Sequence, residues 1–347
     1  MMKKLISIIV LLAAITVAWF AYDVHKFMNS AMNLPETGHV LEVAQGSNLI
    51  RIANKLAKDQ IISQPKYLVW YARLNRHAHK IYVGEYKLQH QMTPKMLLMQ
   101  LDQGEVIQYA ITIVEGWNFK QLLAAVKSHN ALKHTLTSYE PMQVMQQLGY
   151  KGVHPEGQFL PDTYHFPRHL TDVDFLKRAY VSMQDYLAAE WEWRDVGLPI
   201  KTPAEALVLA SIVEKETGLA SERGAIAGVF TRRLEKRMRL QSDPTVIYGM
   251  GDRYKGNIRR RDLLEDTPYN TYRRGGLPPT PIALPGRDAI SAVLHPADGD
   301  ALYFVAKGDG SHYFSENLKE HNNAVIKYQL KGRKRPFSSY KPTTQSK

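Results

Sequence analysis

Cysteine is absent from the 347 residues. That removes disulfides, thiol nucleophiles and thiolate metal sites, and it leaves the compartment open, because many exported proteins also lack cysteine. Acidic residues are scarce beside basic ones, 33 against 45, which leaves a formal charge of +12 and a pI of about 9.5. Such an excess suits polyanionic partners, whether nucleic acid, anionic lipid or an acidic polymer. Part of it sits in Arg259–Arg261 and part in the tail (Lys331, Arg333, Lys334, Arg335), where solvated loop charge is an equally good reading. No helix-turn-helix or RNP-type signature accompanies the charge, so a nucleic-acid partner is not expected. None of the 13 histidines forms a His-Glu-x-x-His pattern, and His77 and His79 sit in a polar turn, so neither a metal nor another cofactor is expected. No long stretch reads as disordered.

One long apolar run is present, Leu5 to Tyr22, uncharged and with only Ser7 and Thr16 as small polar residues. Its length is near the ~20 residues that cross a hydrocarbon core as a helix. Lys3 and Lys4 precede it and Trp19 and Tyr22 lie at its far end, which predicts a cytoplasmic N-terminus and an exported remainder. A signal peptide cut near Thr16/Ala18 is the rival reading, but the apolar run continues through Trp19 and Phe20.

Residues 23–37 read as a juxtamembrane linker. A small α+β pattern follows. His39–Ala44 reads as a strand, Ser47 as an N-cap, and Asn48–Lys58 as a helix with Leu49, Ile52, Ala53 and Leu56 on one face. A helix over Pro65–Leu74 and a strand over Ile81–Leu88 come next, then a helix from Thr93-Pro94 that Gly104 closes. The strand–helix–helix–strand order resembles a LysM-like carbohydrate-binding unit, although many small α+β domains share it. Gln108–Val114 alternates as a strand and runs through Glu115-Gly116-Trp117-Asn118 into a helix ending near His129. In the helix-rich stretch 131–200, Glu156 to Tyr164 forms a loop dense in carboxylate, glycine, proline and aromatic groups, suited either to a sugar-contacting wall or to plain structure.

The chemistry concentrates on the next helix. Thr202 can cap it, Pro203 suits its first position, and Glu205 completes a capping-box pattern. From Ala206 to Val213 it is apolar on every face but Ser211, then reaches Glu214-Lys215-Glu216-Thr217 and is expected to stop at Gly218. At ~100° per residue Glu216 falls on the Leu209/Ile212/Val213 stripe and Glu214 points ~160° away. A carboxyl leaving an apolar face at a helix C-terminus is disfavoured as an anion by desolvation and by the helix dipole. Both effects raise its pKa toward what a general acid needs near neutral pH. The bland alternative is an ion pair with Arg223 or Arg232. A second helix begins at Ser221-Glu222-Arg223, with Ile226, Val229, Phe230 and Leu234 on one side and Arg232, Arg233, Lys236 and Arg237 on the other. Leu240–Gly249 is rich in groups that bond sugar hydroxyls or stack on pyranose faces. Tyr269–Tyr272 leads into a stiff Gly/Pro-rich path through Gly275–Pro279 to Gly286. Leu302–Ala306 and His312–Phe314 read as a hairpin turned at Asp309-Gly310.

Ala210–Glu216, Ala220–Arg223, Gln241–Gly251, Tyr269–Tyr272, Gly276–Pro279 and Leu302–Ala306 together closely resemble the YceG-like family of endolytic murein transglycosylases. The resemblance covers nearly the whole chain. It implies an α+β architecture: cytoplasmic stub 1–4, transmembrane helix 5–22, linker 23–37, LysM-like unit 38–106, mixed α+β catalytic domain 107–330 and basic tail 331–347. It implies an inner-membrane, periplasm-facing lyase that cuts MurNAc–GlcNAc bonds in nascent peptidoglycan strands, leaves 1,6-anhydro-MurNAc ends and works beside peptidoglycan synthases. The family's catalytic glutamate falls on Glu216. Gln241, Asp243, Tyr248, Asn270, Tyr272 and Glu156 are expected to bind substrate or orient Glu216. Asp243, Glu156 or Asp162 could supply the second carboxylate of an ordinary glycosidase, which keeps hydrolysis open. A non-catalytic, wall-binding scaffold for synthesis enzymes is the alternative from a different class.

Overall fold

The structure, a computed structural model, describes residues 2–77 and 81–333. His79 of the polar turn, and Lys334, Arg335 and the rest of the tail from 334 on, lie outside the described residues. The chain divides into two compact units: residues 1–110 with 130–133 and 165–170, and residues 111–129 with 134–164 and 171–347. The described residues form three two-stranded sheets among helices, a mixed α+β architecture.

In the first unit, α1 (Met2–Asn29) is one continuous 28-residue helix, long and apolar enough to cross a membrane. It runs seven residues beyond the expected end of the span. Met28 at its end, together with Met32 and Leu34 after it, is buried in the unit's core, so these apolar side chains make the expected linker part of the fold. β1 (His39–Val43) leads to α2 (Leu49–Lys58), α3 (Pro65–Leu74) and β2 (Gly84–Leu88), which pairs antiparallel with β1 in the register His39↔Leu88 to Val43↔Gly84. The N-cap of α2 is Asn48 rather than Ser47, and its side chain accepts the Arg51 N–H at 2.9 Å. α4 (Pro94–Gln103) is capped by Thr93 and closed by Gly104 at φ 68°, a left-handed conformation that glycine adopts without penalty. β3 (Gln108–Thr112) and β4 (Thr163–Pro167) form a two-stranded sheet, and each strand includes a boundary of the division rather than lying within one unit.

The second unit contains α5 (Phe119–Ser128), α6 (Pro141–Gln147) and α7 (Asp172–Glu192), then α8 (Pro203–Glu216), α9 (Arg223–Glu235), α10 (Asp243–Met250), α11 (Arg260–Leu264) and α12 (Arg287–Leu294). The hairpin of β5 (Tyr303–Ala306) and β6 (His312–Ser315) and then α13 (Leu318–Tyr328) complete it. α8 is its axis. Every residue from Ala206 to Val213 is buried, against α12, α9, α7 and α10. Leu207, Leu209, Ile212 and Val213 share a core with Ile226, Phe230, Ile290 and Val293, and each fully buried aliphatic or aromatic side chain contributes roughly 1.5–3 kcal/mol.

The Gly/Pro-rich path forms no strand or helix and is broken by bends, with Gly276 at φ 79°, and residues 281–286 are buried. Two α8 side chains fix it: Ser211 Oγ accepts the Ile282 N–H at 2.9 Å and Glu214 Oε2 accepts the Gly286 N–H at 2.9 Å.

Candidate active site

α8 begins as its sequence dictates. Thr202 Oγ1 accepts the Glu205 N–H at 3.2 Å, and Pro203, with no N–H to satisfy, fills the first position. Glu205 does not close the box on Thr202. Its carboxylate instead takes the Lys201 N–H at 2.5 Å, one residue further back. At the other end the helix stops at Glu216, and Thr217 leaves it in an extended conformation (φ −139°, ψ 137°), so extended backbone rather than a left-handed glycine at 218 ends the helix.

The phasing of the two glutamates follows from the helix period. Glu214 bonds Gly286 and lies 3.6 Å from Arg223 Nη2, in the ion pair that was the bland reading for this turn. Glu216 points elsewhere, is half-buried, and receives the Ser242 hydroxyl at 2.5 Å on Oε1. Burial pushes its carboxyl from the ordinary 4.5 up to about 7; the charge of Asp243 adds to this, while the Ser242 bond and the Arg233 guanidinium oppose it. With Oε1 engaged by Ser242, Oε2 is left to carry a transferable proton.

Ser242 occupies the N-cap position of α10, yet its hydroxyl caps nothing there. It is aimed at Glu216 because its backbone is held on both sides. The Ser242 N–H donates to Thr271 Oγ1 at 3.0 Å, and its carbonyl accepts from Thr245 Oγ1 at 2.7 Å. The preceding residue, Gln241, is a non-glycine in the left-handed region (φ 51°), and its N–H donates to the Thr271 carbonyl at 3.2 Å. The Gln241 side chain is exposed and has no hydrogen-bond partner among the described residues.

Asp243 accepts the Tyr272 hydroxyl at 2.6 Å, and burial beside that carboxylate holds the phenol well above its usual range. Asn270 is 1% exposed. Its amide nitrogen donates to the carbonyls of Asp262, Leu263 and Glu265, and its oxygen accepts the Tyr272 N–H. That leaves the amide nothing with which to hold a ligand; it shapes the loop that carries Thr271 and Tyr272.

Glu156 and Tyr248 form a second patch. Glu156 is 4% exposed and accepts the first N–H of α5, from Phe119, at 2.9 Å and the Tyr248 hydroxyl at 3.1 Å. Desolvation pushes this carboxyl up to about 7 as well, against those bonds. No hydrogen bond joins it to Glu216 among the described residues, and it satisfies a helix-end donor that would otherwise be buried unpaired. The following Gly157 is required on two counts. Its φ is 79°, and a Cβ there would stand 2.5 Å from the Pro281 ring. Asp162 pairs with Arg287 at 3.5 Å and bonds the Thr163 N–H. No group of three or more His, Asp or Glu side chains is placed to hold a metal among the described residues.

Residues 41–327 match the YceG-like family. The chain belongs to that family. Its relatives include the endolytic murein transglycosylase of Bacillus subtilis (strain 168), 31% identical over 305 residues that cover 83% of this chain and 84% of the relative. The endolytic murein transglycosylase of Streptococcus pneumoniae serotype 2 (strain D39) is 27% identical over 319 residues, 82% of this chain but 57% of the longer relative. Among solved structures, a YceG-like protein from Listeria monocytogenes superposes with a TM-score of 0.51 at 28% identity, covering 83% of this chain and 99% of that one.

In this YceG-like chain Glu216, Ser242, Asp243, Tyr272 and the backbone of Gln241 form one connected constellation, with Glu156 and Tyr248 apart from it. Ser242 and Arg233, whose charge acts on Glu216, were not singled out from sequence. Ser242 was one polar residue in a polar run, although Ser before Asp-Pro is a helix-start signal that fixes its position. Arg233 was placed on the solvated side of its helix. It is 6% exposed, bonds the carbonyls of Leu302 at 2.6 Å and Leu240 at 2.7 Å, and lies over the Tyr303 ring at 5.0 Å. The β5–β6 hairpin packs on that side of α9, so a cation that would otherwise meet water meets carbonyls.

Proposed function

We propose that this chain is an endolytic lytic transglycosylase of peptidoglycan, with Glu216 as its acid and base. The observation that carries the reading is a half-buried glutamate, protonatable near neutrality, at the end of a buried helix of a chain whose relatives are named murein transglycosylases. The protonated carboxyl donates to the oxygen linking MurNAc to GlcNAc, and the C1–O bond breaks as that oxygen becomes a hydroxyl. The C6 hydroxyl of the same MurNAc then attacks C1 and returns its proton to the Glu216 carboxylate, closing a 1,6-anhydro ring. No water is consumed and the acid is regenerated, so one carboxyl group suffices where a hydrolase uses two. Ser242 orients the carboxyl. Arg233 steadies the anion between the two proton transfers, and Gln241, Asp243 and Tyr272 offer polar groups to the sugar. Glu156 and Tyr248 are supporting structure in this reading, and Asn270 a positioning residue.

The same proposal takes α1 as a retained inner-membrane anchor with its N-terminus in the cytoplasm, and the βααβ unit as LysM-like and glycan-binding. It treats residues 107–330 as the catalytic domain, acting on nascent strands beside the synthases that make them.

Purified chain incubated with nascent glycan and analysed by mass spectrometry tests this. Wild type should yield anhydro-MurNAc ends and Glu216→Gln none, with Glu214→Gln, which retains a carbonyl for Gly286, much less affected. Hydrated reducing ends would mark a hydrolase. Anhydro ends at wild-type level from Glu216→Gln would remove the assignment, and full rescue of cells by that variant would favour the scaffold.

A further inference from the structure

We propose that the C-terminal end of α3 is a second membrane contact, an amphipathic element seated in the headgroup layer of an anionic bilayer beside the point where α1 emerges. The inference rests on the reading of α1 as a retained span.

Three observations converge on it. The first is that no free linker separates the span from the first unit. Phe20 and Phe27 of α1 meet Tyr67 of α3 at ring distances of 5.5 and 5.8 Å, and the Tyr67 hydroxyl donates to Asp23 at 2.8 Å. Met28 then enters the core. The second is direction. Tyr67 touches α1 between residues 20 and 27, whereas Trp70, one turn later, meets Phe20 at 5.6 Å, so α3 runs back along α1 toward the apolar segment. Leu74 lies one further turn along, up to ~6 Å nearer the bilayer. The third is chemistry. Leu68 and Ala72 face the core, while Trp70 is left 44% and Leu74 84% exposed. Lys66, Arg73 and Arg76 surround them, all exposed, and no acid occurs from 65 to 77. Among the described residues, Asp23 is engaged by Tyr67 and Asp102 by His77 at 2.5 Å.

Single exposed apolar residues are ordinary on any protein. A tryptophan at the depth of the last turn of the span, a leucine beyond it and flanking cations that can reach phosphates are the side chains that hold a helix end at a membrane interface. The span delivers this end of α3 to the lipid surface, where Trp70 takes the headgroup zone, Leu74 the upper acyl chains, and the cations the anionic phosphates.

The absence of cysteine permits a direct test in the full chain. Leu74→Cys and, separately, Leu12→Cys are labelled with an environment-sensitive fluorophore and reconstituted in phosphatidylethanolamine/phosphatidylglycerol nanodiscs containing lipids brominated high or low on the acyl chain. The label at 12 should be quenched best by deep bromine. The label at 74 should emit at shorter wavelength than in water and be quenched roughly twofold better by shallow than by deep bromine. Lys66→Glu/Arg73→Glu should weaken quenching at 74 and leave 12 unchanged. A water-like, unquenched label at 74 beside a quenched label at 12 overturns the second contact and leaves the anchor standing. An unquenched label at 12 overturns the anchor itself. Quenching at 74 that ignores both the charge reversal and replacement of the anionic lipid by phosphatidylcholine overturns the anionic-surface assignment.

Discussion

Replacing Glu216 by Gln separates the acid's chemical task from what its environment costs the fold. The carboxyl moves from its ordinary 4.5 to about 7, chiefly through burial. A group that holds its proton more tightly folded than unfolded contributes fully below the unfolded value, and that contribution is lost as pH rises through the folded one. The gap from 4.5 to about 7, at ~1.4 kcal/mol per pH unit, amounts to about 3 kcal/mol. Glu216 is half-buried, so solvent screening brings the figure to about 1–3 kcal/mol. Gln cannot ionise. Relative to wild type the variant should therefore be near neutral at about pH 4.5 and more stable by about 1–3 kcal/mol at about pH 8.5, while inactive throughout. Denaturant unfolding of both proteins in the same detergent, at the two pH values, measures the difference. A stability difference that does not change with pH would mean that Glu216 titrates like a solvated carboxylate, and the argument for a neutral-pH acid would fail.

Two further outcomes follow from the partners of Glu216. Ser242→Ala removes a bond that favours the anion, so the pKa rises further; turnover should fall through lost orientation, and the alkaline limb of the rate–pH profile should move to higher pH. Arg233→Met leaves the buried Leu240 carbonyl and the half-buried Leu302 carbonyl without their donor; unfolding should become easier by about 1–3 kcal/mol, read by urea denaturation.

Local signals carried much of the fold. Thr202-Pro203 marks the start of α8, and its apolar run marks burial, because both depend on neighbouring residues. The position of Glu216 opposite Glu214 followed from helix period alone, and the structure gives the two carboxyls different partners for that reason. Contacts distant in sequence were not legible. Arg233 has the composition of a solvent face and becomes buried only because residues 302–303 return over it, ~70 positions later. The Asn270 amide is indistinguishable in sequence from a sugar ligand until the three carbonyls it bonds are seen. Hydropathy falls at Asp23 and so marks the end of the apolar run, whereas the helix itself continues to Asn29, where Phe27 and Met28 find a core that the local pattern does not announce.

The way Ser242 is held has a wider consequence. Its hydroxyl reports to the acid, but its own coordinates are dictated by Thr271, and Thr271 by a loop wound around the Asn270 amide. Changes in that loop would retune proton affinity through Thr271 and Ser242 and surface as a displaced pH optimum. Divergent relatives could thereby match acid strength to the acidity of their surroundings while the reacting groups stay the same.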